Sequence, residues 1–345
     1  MIDLSSDTAT RPTAAMRQFM AEAPVGDEQK GEDPSVNRLQ EMVARLTGKE
    51  AALYLPSGTM CNAIGVKLHT QPGDKIMIER SSHIYTAEAG GPGLLSGVMT
   101  ELVDGKRGVF VSEQVEAGLQ PRGALNNAPT TLLCLENTHN RGGGRVWPLA
   151  AFQAVAATAR AHGLRIHLDG ARLLNAVIAS QVSAAAWAAE VDTVWIDLSK
   201  GLGAPVGGVL AADQETIERA RRYKQMFGGA MRQAGIIAAG GIYALEHHVE
   251  RLAEDHKHAR LLAAGLASIP GIHLDPAAVE TNIVFFDLAG TGFTALEFNE
   301  RMQSLGVRMS AGGYGPTLLR AVTHLDISQG DIKRVVELAA KILRS

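Results

Sequence analysis

Cysteine is nearly absent from this chain. Its two cysteines, Cys61 and Cys134, lie in apolar contexts. They read as buried small residues rather than a disulfide framework, which fits a reducing compartment. Aromatic residues are also scarce, at 5% against a hydrophobic content of 46%, so the core must be mostly Ala, Leu, Val and Ile. Neither charge dominates: 33 Lys and Arg face 36 Asp and Glu, a formal net charge of −3. Without a basic run, nucleic acid and anionic membranes are poor candidates for the main partner. No apolar stretch reads as a membrane span. The longest uncharged segment, Leu173 to Ala189, is broken by Asn175, Ser180, Gln181 and Ser183 and is expected to form a helix and a loop. The first residues lack the basic and apolar blocks of a signal peptide, so a cytoplasmic location is expected. No Gly-x-Gly-x-x-Gly follows the first strand, no phosphate-binding Walker loop is present, and no Cys pair has zinc spacing. The histidines His247, His248, His256 and His258 fall on a charged helical stretch and read as a solvated face, so no metal is expected.

What is present is alternation. Strand-like and helix-like segments succeed one another along 345 residues, which points to an α/β protein with a mainly parallel sheet. Strands are expected at Ala52–Leu55, Lys75–Glu79, Thr131–Glu136, Leu164–Leu168, Thr193–Asp197 and Gly207–Ala211. A helix should start at Pro34 with Asp33 as its cap and stop near Gly48. Others should open at Thr59 and cover Leu149–His162. Successive helices fill Asp213 to Ser268, including Arg251–Ala267. Shorter elements follow Pro270: Asn282–Asp287, a helix Thr294–Ser304, a strand Leu318–Thr323 and a helix Asp331–Leu343. The expected organisation is a large domain with an N-terminal arm over residues 1–247 and a small C-terminal α/β domain over 248–345. Gly142-Gly143-Gly144 reads as a short flexible loop.

Ten lysines are present, and Lys200 alone lies between an apolar strand and a glycine-rich turn, in Val194-Trp195-Ile196-Asp197-Leu198-Ser199-Lys200-Gly201. A lysine in such weakly polar surroundings is a good Schiff-base former, because desolvation frees the amine. About thirty residues upstream, His167-Leu168-Asp169-Gly170 ends another strand in a carboxylate. A strand-end Asp followed by a strand-end Lys suggests pyridoxal phosphate: the Lys binds its aldehyde carbon, and the Asp keeps its ring nitrogen protonated. Each residue also has an ordinary reading, surface charge for the lysine and turn former or cap for the aspartate; it is the pair that carries weight.

Three further segments point to the same place. Ser57-Gly58-Thr59 joins a strand to a helix, where backbone N–H groups and hydroxyls can hold a phosphate. His83 follows Ser81-Ser82 just past a strand and could stack on a ring or relay a proton. Glu136-Asn137-Thr138-His139-Asn140 is a polar run directly after an apolar strand. In a parallel sheet the carboxyl ends of strands face the ligand crevice.

These residues resemble the threonine aldolase family, fold-type I pyridoxal-phosphate enzymes, across essentially the whole chain. The resemblance is carried by Ser6-Asp7-Thr8-Ala9-Thr10-Arg11-Pro12-Thr13, Glu32-Asp33-Pro34-Ser35-Val36, Pro56-Ser57-Gly58-Thr59, Glu88-Ala89-Gly90-Gly91 and Leu135-Glu136-Asn137-Thr138-His139-Asn140. It continues through His167-Leu168-Asp169-Gly170-Ala171-Arg172, Ser199-Lys200-Gly201-Leu202-Gly203, Gly228-Gly229-Ala230-Met231-Arg232-Gln233 and Val322-Thr323-His324-Leu325-Asp326. It implies that Lys200 bears the cofactor, that Asp169 pairs with the ring nitrogen, and that His83 stacks on the ring. It implies a phosphate site at Ser57, Gly58 and Thr59, with Arg232 helping across a subunit interface. Ser6, Arg172 and Arg320 are implied to take the substrate carboxylate, Arg172 lying near the cofactor as well. His83 and His139 become the candidates for the base at the β-hydroxyl. The chain departs from the family pattern at Lys30, where Tyr is frequent, at Met60, where Gln is usual, and at Gln225, where Lys is common and here stands one residue earlier as Lys224.

The expected activity is cleavage of β-hydroxy-α-amino acids such as L-threonine and L-allo-threonine to glycine and an aldehyde. The expected assembly is a homotetramer, a dimer of dimers with active sites at the dimer interface. The alternatives are a pyridoxal-phosphate-dependent β-eliminating lyase or aminotransferase, and a non-enzymatic cofactor-binding protein. Product analysis separates the first two from the aldolase, and a turnover assay separates the last.

Overall fold

The computed structural model describes residues 1–120, 123 and 125–344. A short N-terminal strand, β1 (Ile2–Asp3), precedes the large sheet. That sheet is built from β2 (Ala51–Leu55), β3 (Lys75–Glu79), β4 (Met99–Val103), β5 (Thr130–Glu136), β6 (Arg165–Gly170), β7 (Thr193–Asp197) and β8 (Gly208–Ala212). Their order across the sheet is β2-β8-β7-β6-β5-β3-β4. All neighbours are parallel except β8, which is antiparallel to both β2 and β7. Strands β5, β7 and β8 are buried at every residue, as interior strands of a sheet covered by helices on both faces must be. Edge strand β4 was not expected from the sequence, because Met99-Thr100-Glu101-Leu102-Val103 mixes exposed and half-buried positions with only Val103 buried. Strand β8 starts one residue later than expected, because Gly207 adopts φ +100°, a left-handed conformation open to glycine.

Helix punctuation follows the sequence closely. The helix Pro34–Thr47 is capped by Asp33, whose carboxylate accepts the N–H groups of Ser35 and Val36, and Gly48 ends it at φ +65°. Leu173–Ala189 is two helices, Leu173–Ser180 and Ala184–Ala188, not one helix and a loop; Ser183 caps the second by accepting the Ala186 N–H. The Gly142–Gly144 segment is not a loose loop. All three glycines are buried, Arg107 Nε donates to the Gly142 carbonyl at 2.9 Å, and the Gly144 carbonyl accepts from Thr281 at 2.8 Å.

A second apolar core gathers Leu4 with residues from Ala259 onward, among them Phe286, Phe298, Val307, Leu319 and Val335. Its antiparallel sheet contains β9 (Ile283–Asp287), and β10 (Val307–Arg308) pairs with β1. Strands β11 (Ser310–Ala311) and β12 (Leu318–Val322) complete it in the order β11-β12-β9. We propose that residues 248–345 form the small domain, with the N-terminal strand docked on it. The helix Leu252–Ala267 packs against Leu173–Ser180 and buries His256, while the Leu202 turn covers His248; the sequence placed both histidines on a solvated face. His248 Nδ1 lies 2.7 Å from the Leu202 carbonyl, and His256 Nε2 lies 3.2 Å from Asn175 Nδ2. Among the described residues no helix is long and apolar enough to cross a membrane.

Candidate active site

The sheet order creates a crevice. From β3 the chain goes outward to β4, then returns to the other side of β3 to form β5. Diverging connections leave the carboxyl ends of β3 and β5 open, which is where ligands bind in α/β sheets. His83 follows β3, Glu136 to Asn140 follow β5, Asp169 ends β6, and Lys200 follows β7. Strand β2 runs the same way, so Ser57, Gly58 and Thr59 join the same rim.

Asp169 is 1% exposed. Its Oδ2 accepts Asn62 Nδ2 at 2.9 Å and its Oδ1 accepts the Ala171 N–H at 3.0 Å. Burial pushes its carboxyl up to about 6, helped by the nearby Glu136 charge and opposed by His83 and Lys200. A buried carboxylate in that position gains from a cation facing it. Lys200 Nζ donates to Asp197 Oδ2 at 2.6 Å, and Thr10 Oγ1 donates to the Lys200 carbonyl at 2.8 Å.

Asn62 is the hub behind Asp169. Its Nδ2 also donates to Glu88 Oε1 at 3.0 Å, while its Oδ1 accepts Trp195 Nε1 at 2.7 Å. Indole N–H is a donor only, so it assigns the amide orientation. His167 Nε2 lies 3.1 Å from the same Oδ1, Thr193 Oγ1 lies 2.8 Å from His167 Nδ1, and His69 Nε2 lies 3.1 Å from Thr193 Oγ1. With Oδ1 an acceptor, the directions follow: His69 donates to Thr193, Thr193 to His167, His167 to Asn62, and Asn62 to the carboxylates. Burial holds both rings neutral, pulling His167 down to about 3 and His69 to about 4.

The two histidines differ. His83 Nδ1 is 2.7 Å from Glu88 Oε1, and its backbone N–H donates to Glu136 Oε2 at 2.7 Å. The Glu88 contact raises the His83 pKa against the effect of burial. With Nδ1–H on Glu88, Nε2 is left as an acceptor on a ring whose side chain is 35% exposed. His139 is fully buried. Its Nδ1 accepts the Gly142 N–H at 3.1 Å, and its Nε2 lies 3.1 Å from Glu79 Oε2. Burial lowers the His139 pKa, but Glu136 and Glu79 raise it by more. A second proton would have to sit on Nδ1 against the Gly142 N–H, so we assign the neutral Nε2–H form.

The arginines differ as well. Arg172 Nε and Nη2 each donate to one oxygen of Asp7 at 2.7 Å, so one edge of the guanidinium implied for the substrate carboxylate is taken by the protein itself. Its Nη1 reaches Asn140 Oδ1 at 3.4 Å. Arg320 is 8% exposed. It donates from Nη1 to Asn140 Oδ1 and from Nη2 to the Ser5 carbonyl, both at 3.0 Å. Its Nε has no hydrogen-bond partner, and no carboxylate lies within ion-pair distance among the described residues. Ser6 Oγ accepts the Thr8 N–H, capping a turn next to Ser5.

The helix Gly58–His69 begins at the site, with Ser57 Oγ accepting the Met60 N–H at 3.2 Å. The N–H groups of Gly58 and Thr59 have no partner among the described residues. A side chain at Gly58 would collide with the Trp195 indole, so the glycine is required by packing as well as by access. Arg232 stands apart, paired with Asp27 at 3.0 Å and largely exposed. Among the departures, Met60 packs on Gly229, and Lys224 is buried in an ion pair with Glu28 at 2.6 Å.

Four residues of this cluster were given no role in the sequence analysis: Asp7, Asn62, Glu88 and Asp197. Asp7 and Glu88 lie inside resembling segments. Asn62 and Asp197 were visible only as polar residues interrupting apolar runs.

Residues 3–289 match the family model described as beta-eliminating lyase. The chain belongs to that family. It is 40% identical to low-specificity L-threonine aldolase 1 of Arabidopsis thaliana, over 96% of this chain and 93% of that one. It is 39% identical to low specificity L-threonine aldolase of Escherichia coli (strain K12), over 97% of each. Solved structures share the fold. The threonine aldolase of Leishmania major superposes with a TM-score of 0.83 at 21% identity, covering 99% of this chain and all of that one. Sphingomonas wittichii serine palmitoyltransferase does so at 0.77 and 19%, covering 99% and 87%. The fold-type I architecture expected from the sequence is therefore the one this chain has.

Pyridoxal phosphate suits this donor set. A lysine at a strand end, a buried carboxylate lacking a cation of its own, and a helix start with unpartnered N–H groups are the three things the group requires.

Proposed function

We propose that this chain is a pyridoxal-phosphate-dependent aldolase that cleaves L-threonine, L-allo-threonine and related β-hydroxy-α-amino acids to glycine and an aldehyde. Relatives named for that reaction, matching over nearly the full chain, support it. The observation that carries it is Arg320, a nearly buried guanidinium without an anion beside the Lys200–Asp169 pair. Such a group calls for a carboxylate ligand.

Lys200 would hold the cofactor by its amine, Asp169 its ring nitrogen, the Gly58 and Thr59 N–H groups with the Ser57 and Thr59 hydroxyls its phosphate, and His83 one face of its ring. When bound, the cofactor supplies an electron sink for the bond broken at Cα. The remaining work belongs to side chains of this chain. Arg320 binds the substrate carboxylate, with Arg172 Nη1 and Ser6 as the further contacts. Asp7 keeps Arg172 from turning away. His83 Nε2 takes the β-hydroxyl proton, and Glu88 steadies the imidazolium that results. His139, buried with both nitrogens facing protein groups, sets the position of Glu79, Glu136 and the Gly142 turn. A cleft of about 460 Å³ opens nearby, lined by Ser81, Arg141, Phe285 and Tyr314 among others. The Tyr314 ring lies between Arg141, at 5.2 Å, and Arg320, at 5.6 Å. This leaves room for varied β-substituents.

The proposal extends to assembly and place. Large apolar side chains stay exposed at Leu94 and Met99, where further copies in a homotetramer would cover them, and the exposed Arg232 would exchange its Asp27 partner for a neighbour's phosphate site. Two buried free cysteines suit the cytoplasm.

The direct test is incubation of the loaded enzyme with L-threonine, L-allo-threonine and D-threonine. Acetaldehyde and glycine should form in equal amounts from the L-amino acids. A 2-oxo acid with ammonia would instead identify elimination and overturn the aldolase reading. In the same assay Arg320→Lys should raise KM roughly 10- to 100-fold, since a charge-assisted pair is worth about 1.5–3 kcal/mol and lysine lacks the planar fork. Cofactor absorbance should be unchanged, and a wild-type KM would remove Arg320 from the carboxylate site.

The pH profile tests the base. A protonated His83 cannot accept the hydroxyl proton, and Glu88 raises its pKa above the ordinary 6.5. The acid limb of kcat/KM should therefore have its midpoint above 6.5, and Glu88→Gln should move that limb to lower pH. A limb that stays put in Glu88→Gln would show that another group is the base.

A further inference from the structure

We propose that Asp197 is a further residue of the reacting centre, whose carboxylate keeps the Lys200 nitrogen protonated once that nitrogen is joined to the cofactor. The inference rests on the reading of Lys200 as the cofactor lysine.

Asp197 is the last residue of β7, and its side chain is 5% exposed. Its two oxygens have separate tasks. Oδ1 accepts both the backbone N–H and the hydroxyl of Ser199, each at 2.8 Å. That fixes the turn and sets the carboxylate plane. Oδ2 accepts Lys200 Nζ at 2.6 Å and has no other hydrogen-bond donor among the described residues. A carboxylate serving only as a turn cap would need Oδ1 alone. Here the second oxygen is aimed at the nitrogen on which the chemistry depends. The indole of Trp195 completes the surroundings, its ring centroid 5.4 Å from Nζ.

Other charged or titratable groups face this spot from the elements packed around it: Asp169 at the end of β6, Arg172 just after it, Asp7 in the N-terminal segment, and the Cys61 thiol on the helix Gly58–His69. Arg172 and Asp7 neutralise each other through two 2.7 Å hydrogen bonds. Asp169 is held by Asn62 and the Ala171 N–H, and burial keeps the Cys61 thiol protonated well past neutral pH. Asp197 is thus the carboxylate at hydrogen-bond distance from Nζ.

The consequence is chemical. Condensation of the Lys200 amine with the cofactor aldehyde forms a carbon–nitrogen double bond and releases one water. The nitrogen then carries one proton or none. Its protonated form is the better electrophile for an incoming amine, and an anion beside it favours that form. Asp197 would therefore hold the resting enzyme in its reactive form to higher pH than the lysine and cofactor alone would allow.

The test is a spectrophotometric pH titration of the loaded protein, since the two protonation states of the linkage absorb at different wavelengths. Asp197→Asn, which keeps the shape and the Ser199 contact but removes the charge, should lower the midpoint by about one pH unit or more, a tenfold loss of proton affinity. Asp197→Glu should recover part of that shift. Ser199→Ala, which disturbs the turn and leaves the charge, should move the midpoint much less. If Asp197→Asn does not fold, Asp197→Ser gives the same reading. A wild-type midpoint in the uncharged variant would overturn the role of Asp197, as would an equal shift in Ser199→Ala. Borohydride reduction followed by peptide mapping, run on the same samples, checks the premise separately. A label on a lysine other than Lys200 in the wild type would overturn the cofactor reading itself.

Discussion

Asp169→Asn should retain cofactor absorbance and lose kcat by about 10⁴-fold, as a buried carboxylate exchanged for its amide can do when shape is kept and charge is not. The structure shows why shape would be kept. Asn62 Nδ2 and the Ala171 N–H both donate to this side chain; the amide keeps the outline and its oxygen still accepts from Ala171, at the loss of the Asn62 hydrogen bond. The amide has no negative charge to hold a proton on a ring nitrogen, so the electron sink weakens at the step where Cα loses its bond. Steady-state kinetics with L-threonine, alongside the absorbance of the bound cofactor, measures both halves. A wild-type kcat in Asp169→Asn would reject the assignment of Asp169 to the ring.

Asp7→Ala should destabilise the fold by about 3–5 kcal/mol, the usual cost of leaving a buried ion without its partner. Asp7 and Arg172 are both buried, and two 2.7 Å hydrogen bonds join them. Asn282 also donates to Asp7 at 3.1 Å. Denaturant unfolding of wild type and variant checks the magnitude. The pH dependence gives a second reading. Burial would raise the Asp7 pKa, but Arg172 outweighs it and holds the carboxyl well below its ordinary 3.8. A depressed carboxyl lends its stability in full above the unfolded value and loses it as the pH falls below that value. Wild-type protein should therefore lose stability in acid below about pH 4 more steeply than Asp7→Asn. Equal acid slopes would mean that the pair contributes nothing to the fold.

The strands of the large sheet were legible because they are nearly uniform apolar runs ending in polar or glycine-rich turns. Asp33 and Gly48 announced the ends of their helix through cap chemistry alone. The candidate crevice was legible by the same logic: Gly58, the run Glu136 to Asn140, Asp169 and Lys200 were expected at four strand ends, and they follow or end β2, β5, β6 and β7 along one rim. What was hidden lay in long-range pairing. Arg172 reads as free until Asp7, 165 residues away, is seen across from it. His248 and His256 read as solvated until the helix Leu173–Ser180 covers His256 and the Leu202 turn covers His248. Asn62 gave no signal of its role, since its partners come from three other strands and loops. Edge strand β4 was missed because an edge lacks the two-sided burial that makes strands conspicuous.

Trp195 illustrates how such hidden pairing can govern chemistry. A primary amide has nearly the same outline after a half-turn about its last bond, so packing alone would let Asn62 face either way. In one orientation it offers hydrogen to two carboxylates; in the other it would offer them oxygen. The indole N–H forbids the second orientation. A residue with no hydrogen bond to either carboxylate among the described residues thus acts as a polarity key, and the charge state of the centre is written into the direction of a single side chain.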